Sequence, residues 1–269
     1  MNYDPIKYSL GKVFNNSPIL RKLFYALLNL LLLRAWYIRR TFKQWARTAP
    51  ANARVLDAGA GYGQYVYFMS QFSSTWRITG VDMKTEQIAD CNQFFKKIGK
   101  SAQVQFVEGD LTQFTAAEMQ DFILCVDVME HIENDTQVFR NFYQSLTNGG
   151  VLLISTPSDK GGSDVHEHGE ESFVGEHVRD GYNIHDIQEK LAEAGFSHIS
   201  AQYSYGTLGA LAWKLSMKFP ILMLNCTKLL FVVLPLYYCI VFPFCLLFNY
   251  IDVRSTHKQG TGLIVQAIK

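Results

Sequence analysis

Val55-Leu56-Asp57-Ala58-Gly59-Ala60-Gly61-Tyr62-Gly63-Gln64 runs from an apolar, strand-like stretch into a glycine-rich turn and on toward a helix. Glycines at 59, 61 and 63 let the backbone turn tightly and let a ligand approach without meeting a Cβ. The spacing is GxGxG, with an acid two residues before the first glycine, and so differs from the GxGxxG dinucleotide pattern. It implies a ligand carrying a cationic amine and not only a pyrophosphate. A turn that merely packs would use the same glycines, so the neighbouring segments must supply the rest of the argument.

Short apolar or β-branched runs recur on both sides of the turn, at Arg54–Ala58, Arg77–Asp82, Val104–Glu108, Phe122–Val126 and Gly150–Ser155. Helical patterns separate them. Strands alternating with helices predict parallel βαβ units and a doubly wound α/β sheet, mostly parallel. Asn183 is placed to cap a helix whose Ile184, Ile187 and Leu191 share one face and which Gly195 closes. A strand over Phe196–Tyr203 and a last strand over Gly262–Ile268 complete the expectation.

Acids fall where an open α/β sheet binds ligands, at the strand ends. Asp82 ends the second strand, 19 residues after Gly63, and Asp110 follows the third in Glu108-Gly109-Asp110-Leu111. The fourth ends in Val126-Asp127-Val128-Met129-Glu130-His131, and Asn148-Gly149-Gly150 leads into the fifth. Taken in order, these motifs resemble those of class I, Rossmann-like S-adenosylmethionine-dependent methyltransferases over about residues 52 to 203 plus the last strand. The resemblance implies that Asp57, Gly59 and Gly61 hold the methionine part of S-adenosylmethionine, Asp82 the ribose, and Asp110 with Leu111 the adenine, with Ala60, Tyr62 and Met83 as further cofactor-binding residues. Asp127 joins them at the fourth strand's end. An NAD enzyme is the rival, but the glycine spacing is shifted and no hydride-transfer apparatus is recognisable.

Methyl transfer from a sulfonium is an in-line displacement, in which alignment supplies much of the acceleration and a base helps only with hydroxyl or carbon-acid acceptors. His131 is the first candidate base; packing against the cofactor or capping a helix would place a histidine there equally well. The loop after the fifth strand is rich in polar groups: His166-Glu167-His168-Gly169-Glu170-Glu171, then Glu176-His177-Val178-Arg179. In such a fold it lies over the acceptor. His177 is the second candidate base, and Glu176 and Arg179 are candidates for reading the substrate, Arg179 by pairing a carboxylate or phosphate. The same cluster suits a solvated surface or a divalent metal, and no metal site is assigned.

The net charge of +1 conceals an asymmetry: residues 1–50 carry +8, 51–204 carry −12 and 205–269 carry +5. Basic ends around an acidic middle face something anionic, either nucleic acid or an anionic lipid surface. The long apolar runs lie in those basic ends, which favours lipid. The five cysteines have no metal-ligand spacing, and two stand in an apolar run, so a reducing compartment fits. Residues 1–13 lack the pattern of a secretory signal, which places the catalytic part in the cytoplasm.

Leu23–Leu33 holds one polar residue, Asn29, and is too short to span a bilayer. Arg34–Arg47 interleaves aromatics and cations as interfacial helices do, though a helix packed on the core can show the same pattern. Leu229–Tyr250 is 22 residues without a charge, long enough for a transmembrane helix. If the final strand rejoins the sheet, residues 205–259 are an insertion whose ends must return to one side, so a single span is excluded. Lys214, Lys218 and Lys228, with Pro220, Pro235 and Pro243 as breaks, favour a hairpin lying in one leaflet over two spans.

The chain therefore divides into a helical extension (1–50), a catalytic domain (51–204), an apolar insertion (205–259) and a final strand (260–269). The expected function is methyl transfer to a small hydrophobic or lipid-like acceptor, a quinone, polyene or lipid precursor, at oxygen or carbon, on the cytoplasmic face of a membrane. A nucleic-acid or protein methyltransferase is the second reading. Asp127-Val128-Met129-Glu130, standing where an amine clamp would be, counts against a nucleic-acid base. A non-catalytic membrane adaptor that binds cofactor is the third.

Overall fold

The computed structural model describes residues 17–161, 178–227 and 232–269. Its centre is a seven-stranded sheet of β1 (Arg54–Ala58), β2 (Arg77–Asp82), β3 (Val104–Glu108), β4 (Gln120–Val126), β5 (Leu146–Pro157), β6 (Ser197–Ser204) and β7 (Gly262–Ile268). The order is β3-β2-β1-β4-β5-β7-β6. The pairs among β1 to β5 are parallel, and β7 is inserted antiparallel between β5 and β6. From β1 the chain winds outward to β2 and β3, then returns to lay β4 on β1's other side. That reversal opens a crevice at the carboxyl ends of β1 and β4.

Alternation along the strands splits the core into two layers, as the two-residue period of a strand requires. Val55, Phe122, Leu124, Val151 and Leu153 face one layer; Leu56, Ile123, Cys125, Leu152 and Ile154 face the other. The second layer is closed by α5 (Asp135–Ser145) and α6 (Ile184–Glu193), which bury Val138, Phe139, Phe142, Ile187 and Leu191 at helical spacing. Asn183 caps α6 by accepting from the His185 amide at 2.9 Å.

The first layer is covered by α1 (Pro18–Leu31), α2 (Leu33–Trp45), α3 (Gln64–Met69) and α4 (Thr85–Lys97). Leu33, Ala35, Tyr37, Ile38 and Phe42 of α2 are all buried, Phe42 against Trp45, Phe68, Trp76 and Phe122. The interfacial reading of Arg34–Arg47 is thereby corrected. Its aromatic face packs on the sheet, and Arg39 stacks over the Phe68 ring at 4.6 Å.

Between β6 and β7 the chain forms a hairpin of α7 (Thr207–Trp213), a π-helical turn (Lys214–Lys218), α8 (Phe219–Cys226) and α9 (Leu234–Arg254). Tyr237 and Tyr238 of α9 donate to the Leu215 and Ser216 carbonyls, each at 2.7 Å. Buried Asp252 fastens the hairpin's base, accepting from the Gly209 amide at 3.0 Å and the Tyr37 hydroxyl at 2.7 Å. A Cβ on Gly209 would meet that carboxylate at 2.6 Å, which requires glycine there.

The prolines do not break this segment as expected. Pro220 follows the π-helical turn inside one continuous helical run, where the Leu215 and Ser216 carbonyls accept from Tyr237 and Tyr238 instead; Pro235 stands in the first turn of α9, where the missing N–H is an orphan in any helix, and α9 continues through Pro243. Among the described residues α9 is the one helix long and apolar enough to cross a bilayer. Its outward stripe of Leu236, Ile240, Phe244, Leu247 and Ile251 is exposed among the described residues, with Leu236 65% exposed.

Candidate cofactor and acceptor site

The turn after β1 is shaped by three left-handed glycines, Gly59 (φ 79°), Gly61 (φ 50°) and Gly63 (φ 76°). The Gly59 and Ala60 amides donate to Val81 O at 2.8 and 2.9 Å, tying the turn to the end of β2. A Cβ at Gly59 would overlap Val128, so this glycine is set by close packing. At Gly61 a Cβ would meet no atom within 4 Å. The two glycines thus differ: Gly59 packs on protein, whereas Gly61 borders open space of the kind a ligand needs.

Asp57 lies under this turn with 1% exposure, and its Oδ2 has no hydrogen-bond partner among the described residues. Burial first, and the negative charge of Asp82 second, push its carboxyl up to about 8. A buried carboxyl with an idle oxygen needs a cation or donor to ionise comfortably. The ammonium of S-adenosylmethionine is such a group, so the cradle fits the cofactor. Asp82 Oδ2 accepts from the Gly61 amide at 2.8 Å and its Oδ1 from the Lys84 amide at 3.0 Å. Met83 is exposed beside it, Asp110 accepts from the Thr112 amide at 2.9 Å, and Leu111 is buried behind. The strand-end residues Asp57, Gly59, Ala60, Gly61, Tyr62, Asp82, Met83, Asp110, Leu111 and Asp127 therefore line one rim of the sheet.

Asp127 leaves β4 at φ 50°, an uncommon backbone for a non-glycine residue and one often found at functional sites. Its carboxylate pairs with Arg34, the second residue of α2, at 2.8 Å. The Arg34 amide in turn donates to the Tyr205 hydroxyl at 3.1 Å, and Tyr205 is also left-handed (φ 54°). Tyr65 of α3 is buried nearby; burial raises its phenol strongly while the charge of Arg34 opposes. Three remote segments, the α1–α2 elbow, the end of β4 and Tyr205 between β6 and α7, thus meet at the mouth of the crevice.

Glu130 stands behind Asp127, buried, its Oε2 accepting from the Thr156 hydroxyl at 3.1 Å. Burial and then the charge of Asp127 push it well above the usual carboxylate range, to about 8. His131 is half-buried in a short 3-10 turn, Met129–His131, immediately after β4. His177 and Glu176, together with His166, Glu167, His168, Glu170 and Glu171, lie outside the described residues. Among the described residues no cluster of His, Cys, Asp and Glu is arranged to hold a metal ion.

Arg179 is engaged by groups of the protein itself. Its guanidinium donates to the Asp135 carboxylate and the Tyr182 hydroxyl, and to the Ile132 and Glu133 carbonyls at 2.8 and 3.1 Å. Lys190 joins Asp135 at 3.0 Å. Although burial works the other way, hydrogen bonds from Tyr182 and Lys190 and the charge of Arg179 hold Asp135 below the usual carboxylate range. Arg179 thus pins the loop's return to α5 and α6.

Arg34, Tyr65 and Tyr205 carry no signal of a shared site in the sequence, since single residues of ordinary type in distant segments give no local pattern. The same holds for Arg21 and Tyr25 of α1, yet both reach the glycine turn. The lone Asn29 in an apolar run was a usable signal: it accepts from Gln64 at the start of α3 at 2.9 Å.

Residues 56–154 match the methyltransferase domain family. Phosphoethanolamine N-methyltransferase 1 of Triticum aestivum is 30% identical over 156 residues, 56% of this chain and 30% of that enzyme, so the match spans under a third of its length. Ubiquinone biosynthesis O-methyltransferase of Xanthomonas axonopodis pv. citri is 32% identical over 113 residues, 41% of this chain and 46% of that enzyme. The solved phosphoethanolamine N-methyltransferase 2 of Haemonchus contortus, in complex with phosphomonomethylethanolamine and S-adenosylhomocysteine, superposes with a TM-score of 0.59 at 20% identity. That likeness covers 86% of this chain and 52% of that one, and shows the fold.

Proposed function

From the premise that the chain belongs to the class I S-adenosylmethionine-dependent methyltransferases, we propose that it methylates a small amphiphilic, lipid-like acceptor at a membrane surface. When bound, S-adenosylmethionine supplies a methyl group made electrophilic by its sulfonium. Asp57 and the open side of Gly61 would hold the amino-acid part, Asp82 with Met83 the ribose, and Asp110 with Leu111 the adenine. The acceptor would enter between Arg34, Tyr65, Asp127 and Tyr205. His131 serves as base where the acceptor is a hydroxyl, with His177 as second base, and both are unnecessary for a neutral amine.

One observation carries the acceptor class. The mouth of the crevice is framed by Arg34, just after α1, and by Tyr205, just before α7. Helix α1, with its exposed apolar stripe, therefore ends beside this mouth, and the hairpin whose α9 carries the second exposed stripe begins there. The basic charge of segments 1–50 and 205–269 supports an anionic lipid surface, on which the hairpin lies in one leaflet, with two spans as the second arrangement. The relatives support small acceptors at either atom: the wheat protein is named for N-methylation and the Xanthomonas protein for O-methylation. Oxygen remains the first reading, and nitrogen of a phosphoethanolamine-like group is the second, favoured by the wheat and Haemonchus likenesses.

Labelled S-adenosylmethionine incubated with the protein and host lipid extract tests this. Label in a lipid fraction supports the proposal. Label in RNA or protein overturns it, and cofactor binding without label in any fraction favours an adaptor. Turnover unchanged in both His131→Ala and His177→Ala would remove the acid–base role.

A further inference from the structure

Helix α1 has two faces with separate partners. Its inner stripe, Arg21, Tyr25 and Asn29, repeats every four residues and reaches the glycine turn at three points. Arg21 Nη2 donates to Tyr62 O at 2.9 Å, and the Tyr25 hydroxyl donates to the same oxygen. Both lone pairs of that carbonyl are thus filled from α1. Arg21 also contacts the Cys91 sulfur at 3.0 Å, and that thiol reaches Gly61 O at 3.5 Å. Asn29 holds Gln64, the first residue after Gly63. The outer stripe is the reverse: Ile19, Leu20, Leu23, Leu27 and Leu30 are exposed, Ile19 at 77% and Leu23 at 52%.

The helix is also set apart from the rest of the first layer. Leu32, with φ −90° and ψ 112°, is the single non-helical residue between α1 and α2. Beyond it α2 is buried in the core, while in α1 only Arg21 and Tyr25 are buried. What grips the turn is therefore a helix joined to α2 through one extended residue and bearing exposed apolar side chains on its other face.

We propose that α1 couples seating on an anionic bilayer to the shape of the Gly61–Tyr62 turn, so that the cofactor binds tightly only when the outer stripe is in lipid. This rests on the reading above that the apolar faces meet a membrane and that the turn holds S-adenosylmethionine. The occupant is a bilayer because residues 17–50 carry Arg21, Lys22, Arg34, Arg39, Arg40, Lys43 and Arg47 and no acid. The uncovered stripe of α9, on a segment equally free of acids from 205 to 251, supplies a second lipid-facing element. Lipid that buries the outer stripe stabilises the helical, docked form of α1, and by linkage it stabilises any ligand that needs the docked turn.

The test uses the full chain and vesicles of phosphatidylcholine and phosphatidylglycerol. Co-sedimentation reads seating, and equilibrium dialysis of S-adenosylhomocysteine reads the turn. Vesicles are expected to tighten the dissociation constant by at least about five-fold. Leu23→Asp with Leu27→Asp should abolish that tightening and weaken co-sedimentation, while leaving lipid-free affinity unchanged. Tyr25→Phe, which removes one hydroxyl, should still co-sediment and bind with an affinity closer to indifferent to vesicles. A protein that co-sediments yet binds equally well with and without vesicles overturns the coupling and leaves the membrane reading standing. Failure to co-sediment overturns both. A dimer in solution that the Leu23→Asp, Leu27→Asp variant dissolves, with affinity following dimerisation, assigns the stripe to a second copy and also overturns the proposal.

Discussion

The guanidinium of Arg34 lies 2.8 Å from the carboxylate of Asp127, joining a helix that precedes the sheet to the end of its fourth strand. Both side chains are about a third exposed, so the pair itself adds little to stability, about 1 kcal/mol or less. Its place at the crevice mouth gives it a different weight in turnover. Arg34→Gln is expected to leave melting and cofactor affinity nearly unchanged and to lower kcat/KM for the acceptor by about ten-fold or more, about 1.4 kcal/mol. Unchanged turnover in that variant would remove Arg34 from the acceptor site.

Asp57 makes the cofactor-free protein sensitive to pH. Its folded value, about 8, lies above the unfolded aspartate value, so between the two the folded state holds the extra proton. Stability of the cofactor-free fold therefore falls as pH rises from the unfolded value through about 8, and Glu130, also about 8, adds to the slope. Asp57→Asn should flatten the fall of Tm with pH in part, and Glu130→Gln the remainder. Holding a cationic amine needs ionised Asp57, so cofactor affinity in the wild type should rise toward about 8 with release of a proton. Calorimetry in buffers of different ionisation enthalpy reads that proton, which Asp57→Asn should not release.

Gly59 and Gly61 separate packing from binding. Gly59→Ala meets Val128 as well as a strained φ and should cost about 1–3 kcal/mol of stability. Gly61→Ala meets no neighbour, so it should cost about 1 kcal/mol and act mainly on cofactor affinity. Melting curves and dialysis on the same two variants separate the effects, and an equal loss of stability in both would contradict the open space at Gly61.

Arg179 is expected to behave as a fastening of the loop return. Arg179→Gln leaves Asp135 facing only Tyr182 and Lys190, and should cost about 2–3 kcal/mol. The acceptor KM should be unchanged in the fraction that remains folded. A raised KM with an intact melting curve would return Arg179 to the acceptor.

The strands, the glycine turn and the acids at the strand ends were legible in the sequence because their signals are local. A two-residue alternation, a φ that only glycine adopts easily and a carboxylate after an apolar run are each written in a few adjacent residues. The hairpin was legible as an insertion because the final strand must rejoin the sheet. The fate of Arg34–Arg47 was not, since a lipid interface and a protein core select the same mixture of aromatics and cations. The prolines misled for a related reason: their effect depends on the turn of the helix they occupy, and sequence alone leaves that position open.

By itself, then, the sequence determined the doubly wound sheet, the glycines and acids along its rim from Asp57 to Asp127 and the apolar character of both flanks. Tertiary structure decided which apolar surfaces are covered. It sent α2 into the core, left one side of α1 and of α9 exposed among the described residues, turned Arg179 onto Asp135 and brought Arg34 to Asp127 across 93 residues of chain. The physical reason is one of range. Backbone conformation and amphipathic period follow from neighbouring residues, whereas the partner of a charge or of an apolar face is fixed only when distant segments compete for the same surface.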